Sequence, residues 1–186
     1  TTTFVFNKKY LGETNQDNST ESVAIIRTDP IVVVAMLNSD GEILTLNTPN
    51  LLTGEEIRSV PTISMMQEYE LPDDISNHNL IIDLIHDTGY FVTELVHIRT
   101  VNMPVEYNGK VLLYIGMNAE AVTDKNSGHI HDNYSVEMSD IDFPRIAEER
   151  RPIFYPPGKL FNMEDVDVIT SMLAANVVAM LQKMEA

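Results

Sequence analysis

The stretch that most constrains this chain is residues 30–48, PIVVVAMLNSDGEILTLNT. Ile31, Val32, Val33 and Val34 carry branched β-carbons, which restrict χ1 and favour extended backbone over helix. A strand with one wet face alternates apolar and polar residues. This run stays apolar to Leu37, which predicts a central strand covered on both faces. Asn38-Ser39-Asp40-Gly41 supplies a turn, with Gly41 free to adopt φ > 0. Residues 42–46 return as a second strand, Ile43 and Thr45 on one face, Leu44 and Leu46 on the other. The expected unit is a core hairpin bounded by Pro30 and Pro49.

Other strands are expected over 2–11, 23–27, 62–71 and 90–102, with a polar loop over 12–22. Thr53 and Glu56 stand at capping-box spacing, which suggests a short helical turn ended by Pro61. Residues 77–87 are ambiguous. Asn77 and Gly89 would bound a helix, but LIIDLI has no decisive period, and a strand or mixed turn is expected. Asn108-Gly109 predicts a two-residue hairpin turn with Val105 opposite Leu112. Gly116, inside the returning strand, suggests a bulge. Residues 121–139 are polar, and 141–158 hold four of the nine prolines, as an extended arm would.

Residues 162–185 are the clearest helix. Asn162 suits the N-cap, and Glu164, Asp165 and Asp167 suit the first turns. Val166, Ile169, Leu173, Val177, Met180 and Met184 form one stripe, which Val168, Met172 and Leu181 widen. No charge falls between Val168 and Leu181, and a helix this apolar is buried on most sides. One sheet covers only one face. The remainder predicts a contact with a protein partner or a second copy, through Val168, Met172, Leu173, Val177 and Met180. The expected architecture is α+β and a single domain. A mostly antiparallel sheet of hairpins fills 1–143, a proline-rich arm 144–161, and a long apolar C-terminal helix 162–186, packed on the domain or on a neighbouring subunit.

Twenty-eight acids against twelve bases leave a net charge of −16. Such a chain is repelled by nucleic-acid phosphates and anionic lipid, so neither direct nucleic-acid binding nor a membrane partner is expected. The absence of cysteine removes thiolate chemistry and disulfides. No apolar run approaches the roughly 18 residues that span a bilayer, and no signal-peptide layout is seen. The expected location is the cytoplasm or an assembled particle.

No glycine-rich phosphate loop and no G-x-S-x-G elbow appears. His129-Ile130-His131-Asp132 is the one metal-like pattern. On a strand, His129 and His131 would face the same way and share an ion with Asp132, and Glu137, Asp140 and Asp142 follow nearby. A pair of solvent-exposed loop histidines is the commoner outcome of such a pattern. Asp83 and Glu94 are acids in apolar stretches, but nothing selects them as an acid–base pair. Glu148-Glu149-Arg150-Arg151 reads as a solvated or interfacial charge cluster. No cofactor is expected. The reading that follows is a non-enzymatic structural or assembly subunit of a larger complex, of the virion or tail kind. An acidic inhibitory or DNA-mimicking binder, and a metal-dependent hydrolase using His129 and His131, are the alternatives.

Overall fold

The computed structural model describes residues 2–7, 22–27, 30–49, 54–64, 77–102 and 110–184. The strands β1 (Thr2–Asn7) and β2 (Ser22–Arg27) pair antiparallel. Then come β3 (Ile31–Met36), β4 (Ile43–Pro49), β5 (Glu56–Ser59) and β6 (Thr62–Ser64). Helix α1 (Asn77–Thr88) leads to β7 (Tyr90–Phe91), β8 (Glu94–Asn102), β9 (Lys110–Met117) and β10 (Glu120–Ala121). After α2 (Ser127–Tyr134), a short α3 (Phe143–Arg145) runs into a π turn, Ile146–Arg150. β11 (Ile153–Tyr155), α4 (Pro157–Leu160) and α5 (Val168–Met184) complete the chain.

The fold is α+β. A four-stranded sheet has the order β6-β3-β9-β8, and a three-stranded sheet has the order β11-β4-β5. β3 runs parallel to β9, while β6 and β8 add antiparallel at the edges. The unbroken apolar run of β3 now has its cause. Val32, Val34 and Met36, with Leu112 and Tyr114 of β9, pack into one core with Leu80, Ile81, Leu84 and Ile85 of α1. Val33, Ala35 and Leu37, with Leu113 and Ile115, pack into a second core with Leu173, Ala174 and Val177 of α5. The sheet is therefore sandwiched between two helices, and each core strand is buried on both faces.

Several local expectations are corrected. The turn after Leu37 forms, with Asn38 Oδ1 accepting from the amides of Asp40 at 3.0 Å and Glu42 at 2.9 Å. Beyond a single bridge between Leu37 and Ile43, however, β3 and β4 part into different sheets. β6 and β9 already occupy both edges of β3, so the central hairpin is a corner between two sheets. Residues 77–88 are helix, not strand: Leu80, Ile81, Leu84, Ile85 and Thr88 are the buried positions, a helical face. Ile82, partly buried on the flank, fills the gap in the pattern and hides the period. Gly89, at φ +71°, ends the helix and donates to Ile85 O at 2.8 Å, as a left-handed C-terminal glycine does.

The third correction concerns β8 and β9. They pair antiparallel, but Lys110 faces Asn102 and Leu112 faces Thr100 rather than Val105. Asn108-Gly109 itself lies outside the described residues, as do Thr53 and residues 12–21 and 65–71. The irregularity in this pair falls between His97 and Arg99, not at Gly116. Gly116 answers a packing need instead, since a Cβ there would stand 2.8 Å from Val92 Cγ1. Glu56 belongs to a strand, not to a helical turn.

The last correction is at the start of α5. Asp167, not Asn162, caps it, with Oδ1 accepting from the amides of Ile169 at 2.8 Å and Thr170 at 3.0 Å. The expected extended arm is in fact folded into α3, the π turn, β11 and α4. Among the described residues no helix is long and apolar enough to cross a membrane.

Candidate active site

Helix α1 turns its apolar face to the sheet and leaves Asp83, His86 and Asp87 on the outside, spaced three and four apart. Its last turn is tightly fixed. Thr88 Oγ1 donates to Leu84 O at 2.7 Å and accepts from the Tyr90 amide at 3.0 Å, while the Val122 amide donates to Gly89 O at 2.9 Å. Asp87 thus stands at the C-terminal end of a helix, where the dipole disfavours a carboxylate. A cation is needed there, and Arg150 supplies it: Nη2 lies 2.6 Å from Asp87 Oδ2, with the two side chains 20% and 27% exposed.

The segment that delivers Arg150 is irregular. Asp142 caps α3 by accepting from the Arg145 amide at 3.1 Å. The π turn over Ile146–Arg150 then closes on Arg151, which adopts a left-handed φ of 42°. Both features cluster at functional sites, because they aim side chains that a regular helix would not. Arg151 straps the segment to β5. Its carbonyl accepts from Arg58 Nη1 at 2.7 Å, and its Nη1 donates to Glu56 Oε2 at 3.2 Å. The same Glu56 oxygen accepts from Asn47 Nδ2 at 2.6 Å. β11 follows and pairs with β4, with Thr45 Oγ1 donating to Ile153 O at 3.0 Å.

Between these parts lies an open cleft of about 550 Å³. Asn47 and Pro49 of β4, Glu56 of β5, Asp87 of α1, and Arg145, Glu148, Glu149 and Arg150 line it. Four carboxylates and two guanidinium groups therefore share one concavity. One helical turn before Asp87, the Asp83 carboxyl is pushed above the ordinary range by desolvation, against the opposing pull of His86. Among the described residues, no three His, Asp or Glu side chains converge as a ready-made metal cage.

The candidates read from sequence fall elsewhere. His129, His131 and Asp132 lie on α2, a helix and not a strand. Residues two apart on a helix do not face each other. His129 Nδ1 lies 3.1 Å from Asn133 Nδ2, while His131 sits 3.5 Å from Asp132 and 4.0 Å from Glu137. Leu173 and Val177 of α5 are buried in the chain's own core, Met180 packs against that core, and Val168 and Met172 are 72% and 47% exposed. Glu94 is exposed on β8. Glu148, Glu149 and Arg150, read as part of a solvated or interfacial charge cluster, line the cleft, and both glutamates are exposed. Asp87, Glu56 and Asn47 carried no signal of their own. Reading 77–88 as a helix would have set Asp83 and Asp87 one turn apart on its outer face.

No family model and no curated protein matches the sequence. Solved structures do match. The crystal structure of an ADP compounds hydrolase superposes with a TM-score of 0.63 at 11% identity, covering 100% of this chain and 94% of that one. A structure from work on MutT from the psychrophilic fish pathogen Aliivibrio salmonicida and the mesophile Vibrio cholerae matches with a TM-score of 0.54 at 13% identity. It covers 83% of this chain and 98% of that one. The chain shares its fold with both of these proteins. At these identities the likeness is one of fold. It stands against the reading of a structural or virion component, since one of the similar structures is of a hydrolase.

Proposed function

We infer that the chain is a hydrolase of phosphate-linked compounds and that it acts in the cleft at the end of α1. The observation that carries this reading is the meeting of Glu56, Asp87, Glu148 and Glu149 with Arg145 and Arg150 in one concavity. Cleaving a phosphoanhydride calls for both signs of charge. Guanidinium groups neutralise the phosphate oxygens, and carboxylates orient and deprotonate the attacking water. Glu148 and Glu149, exposed on the π turn, are the residues free to take that proton. Asp87 is held by Arg150, and Glu56 by Asn47 and Arg151.

The donor set also suits a hard divalent cation. Such ions are commonly held by one or two carboxylates together with substrate phosphates, without an all-protein cage. Glu148 or Glu149 would share it with the substrate phosphate, and it would supply charge neutralisation there. One similar structure is of an ADP compounds hydrolase, which makes nucleoside diphosphate derivatives the first substrates to try.

The test is turnover by the purified chain, with Mg²⁺ or Mn²⁺, of ADP, ADP derivatives carrying a second group on the terminal phosphate, and nucleoside triphosphates. Products are read by chromatography. Wild type should cleave at least one, and a Glu148→Gln, Glu149→Gln double variant should lose roughly 10²-fold or more. Failure of the wild type on every compound with either cation overturns the reading.

A further inference from the structure

Arg150 is held in an incomplete way. An arginine presents Nε–H and Nη2–H along one edge, spaced to grip two oxygens of a carboxylate or phosphate side by side. Here Nη2 meets Asp87 Oδ2 at 2.6 Å. The adjoining Nε–H is buried and has no acceptor among the described residues. Buried donors without acceptors are rare and unfavourable, and this one belongs to a residue that lines the cleft. The edge engages one oxygen, and its second donor stays covered and unpaired.

Among the described residues no side chain supplies the second oxygen. Glu56 is already engaged by Asn47 and Arg151. Glu148 and Glu149 share the short π turn with Arg150. A phosphate entering this cleft meets four carboxylates, so it needs a cation already in place. Arg145 reaches Asp142 only at 3.9 Å on the surface, whereas Arg150 is largely buried and fixed against the helix end.

We propose that Arg150 is the phosphate-positioning residue of this cleft, resting on Asp87 through half of its guanidinium edge and gripping two oxygens of a ligand phosphate when one arrives. This rests on the hydrolase reading for the identity of the ligand but not for the binding event. Asp87 then plays two parts. It holds the guanidinium in place before a ligand arrives, and it competes with the incoming phosphate for the same edge. The sign of the Asp87 effect follows: neutralising Asp87 frees the edge and removes a repelling charge, so phosphate should bind better.

Inorganic pyrophosphate is the probe, titrated calorimetrically into the full-length protein in the presence of Mg²⁺, with folding of every variant checked by circular dichroism and melting. Wild type should bind. Arg150→Lys, which keeps the charge and loses the edge, should bind at least tenfold more weakly, and Asp87→Asn should bind several-fold more tightly. A merely structural ion pair predicts that both variants weaken binding through loss of fold. No binding by wild type, undiminished binding by Arg150→Lys, or weaker binding by Asp87→Asn overturns the proposal. If Arg150→Lys does not fold, the Asp87→Asn titration decides alone. The two readings separate cleanly. Binding that depends on Arg150 with no turnover of any nucleotide sinks the hydrolase assignment and keeps this one. Turnover with a KM unmoved by Arg150→Lys does the reverse.

Discussion

The amide of Val60 donates to Thr170 Oγ1 at 2.8 Å, and both residues are buried. The same hydroxyl is tied to the Asp167 carboxylate that caps α5. One threonine thus stitches the first turn of the last helix to the link between β5 and β6, across 110 residues of sequence. Backbone contacts reinforce the seam, with the Arg58 amide donating to Asp165 O at 2.7 Å and the Asp167 amide to Arg58 O at 3.1 Å. Thr170→Val keeps the shape and removes the acceptor, leaving a buried N–H unsatisfied. It should lose about 1–3 kcal/mol in urea denaturation, while Thr170→Ser retains most of the stability. Equal midpoints for wild type and Thr170→Val would show that the hydroxyl is dispensable.

Gly116 gives a second measurement. Its place on β9 is crowded by Val92, whose Cγ1 and Cβ would lie 2.8 and 3.3 Å from an added Cβ. Both residues are buried, so neither has solvent to retreat into. Gly116→Ala should therefore cost about 1–3 kcal/mol by overpacking. Val92→Ala opens the needed space, so the double variant should be more stable than the sum of the two single losses. Simple additivity would mean that the strand, not the side chain, absorbs the clash.

How much of this was legible beforehand depends on where the information is held. The doubly buried β3 was readable from its own residues, because Val32 and Val33 needed cover on opposite faces. The antiparallel pairing of β8 with β9 was readable as a tendency. Its register was not, since Leu112 meets Thr100 through a choice that the Asn-Gly signal alone does not fix. The parallel neighbour of β3 lies some eighty residues away in the sequence, and nothing local announces it. The site was least legible. Asp87 and Arg150 are separated by 63 residues and are brought together by a π turn that has no sequence signature. A charge cluster and an ambiguous apolar stretch became one cleft only through the tertiary fold.

Asp83 sets a pH dependence. Desolvation raises its folded-state carboxyl above the ordinary 3.8, with His86 opposing. The folded state then binds the proton more tightly than the unfolded chain, so stability falls as pH climbs through the window above 3.8. At neutral pH the ionised carboxylate is a liability. Asp83→Asn should therefore melt higher than wild type at pH 7, and the gain should vanish below the ordinary carboxylate range. Melting curves from pH 3 to 7 read this directly; a variant that is less stable at pH 7 would reverse the sign and refute the desolvation account.

Met172 and Leu173 are neighbours in sequence and opposites in environment. Met172 is 47% exposed on the outer side of α5, whereas Leu173 is 1% exposed in the core with Val33, Leu113 and Ile115. The apolar composition of α5 conceals this division, because no charge falls between Val168 and Leu181 to mark its wet side. The division predicts sharply different responses at adjacent positions. Leu173→Ala should cost about 2–5 kcal/mol, the transfer term plus an unfilled cavity beneath the sheet. Met172→Glu should change stability by no more than about 0.5 kcal/mol, as a surface substitution. Both are read from the same denaturation experiment, with light scattering to hold the oligomeric state in view. A large loss at Met172 with an unchanged scattering mass would mean that α5 is rotated from the face assigned here, and would carry the assignment of Val168 with it.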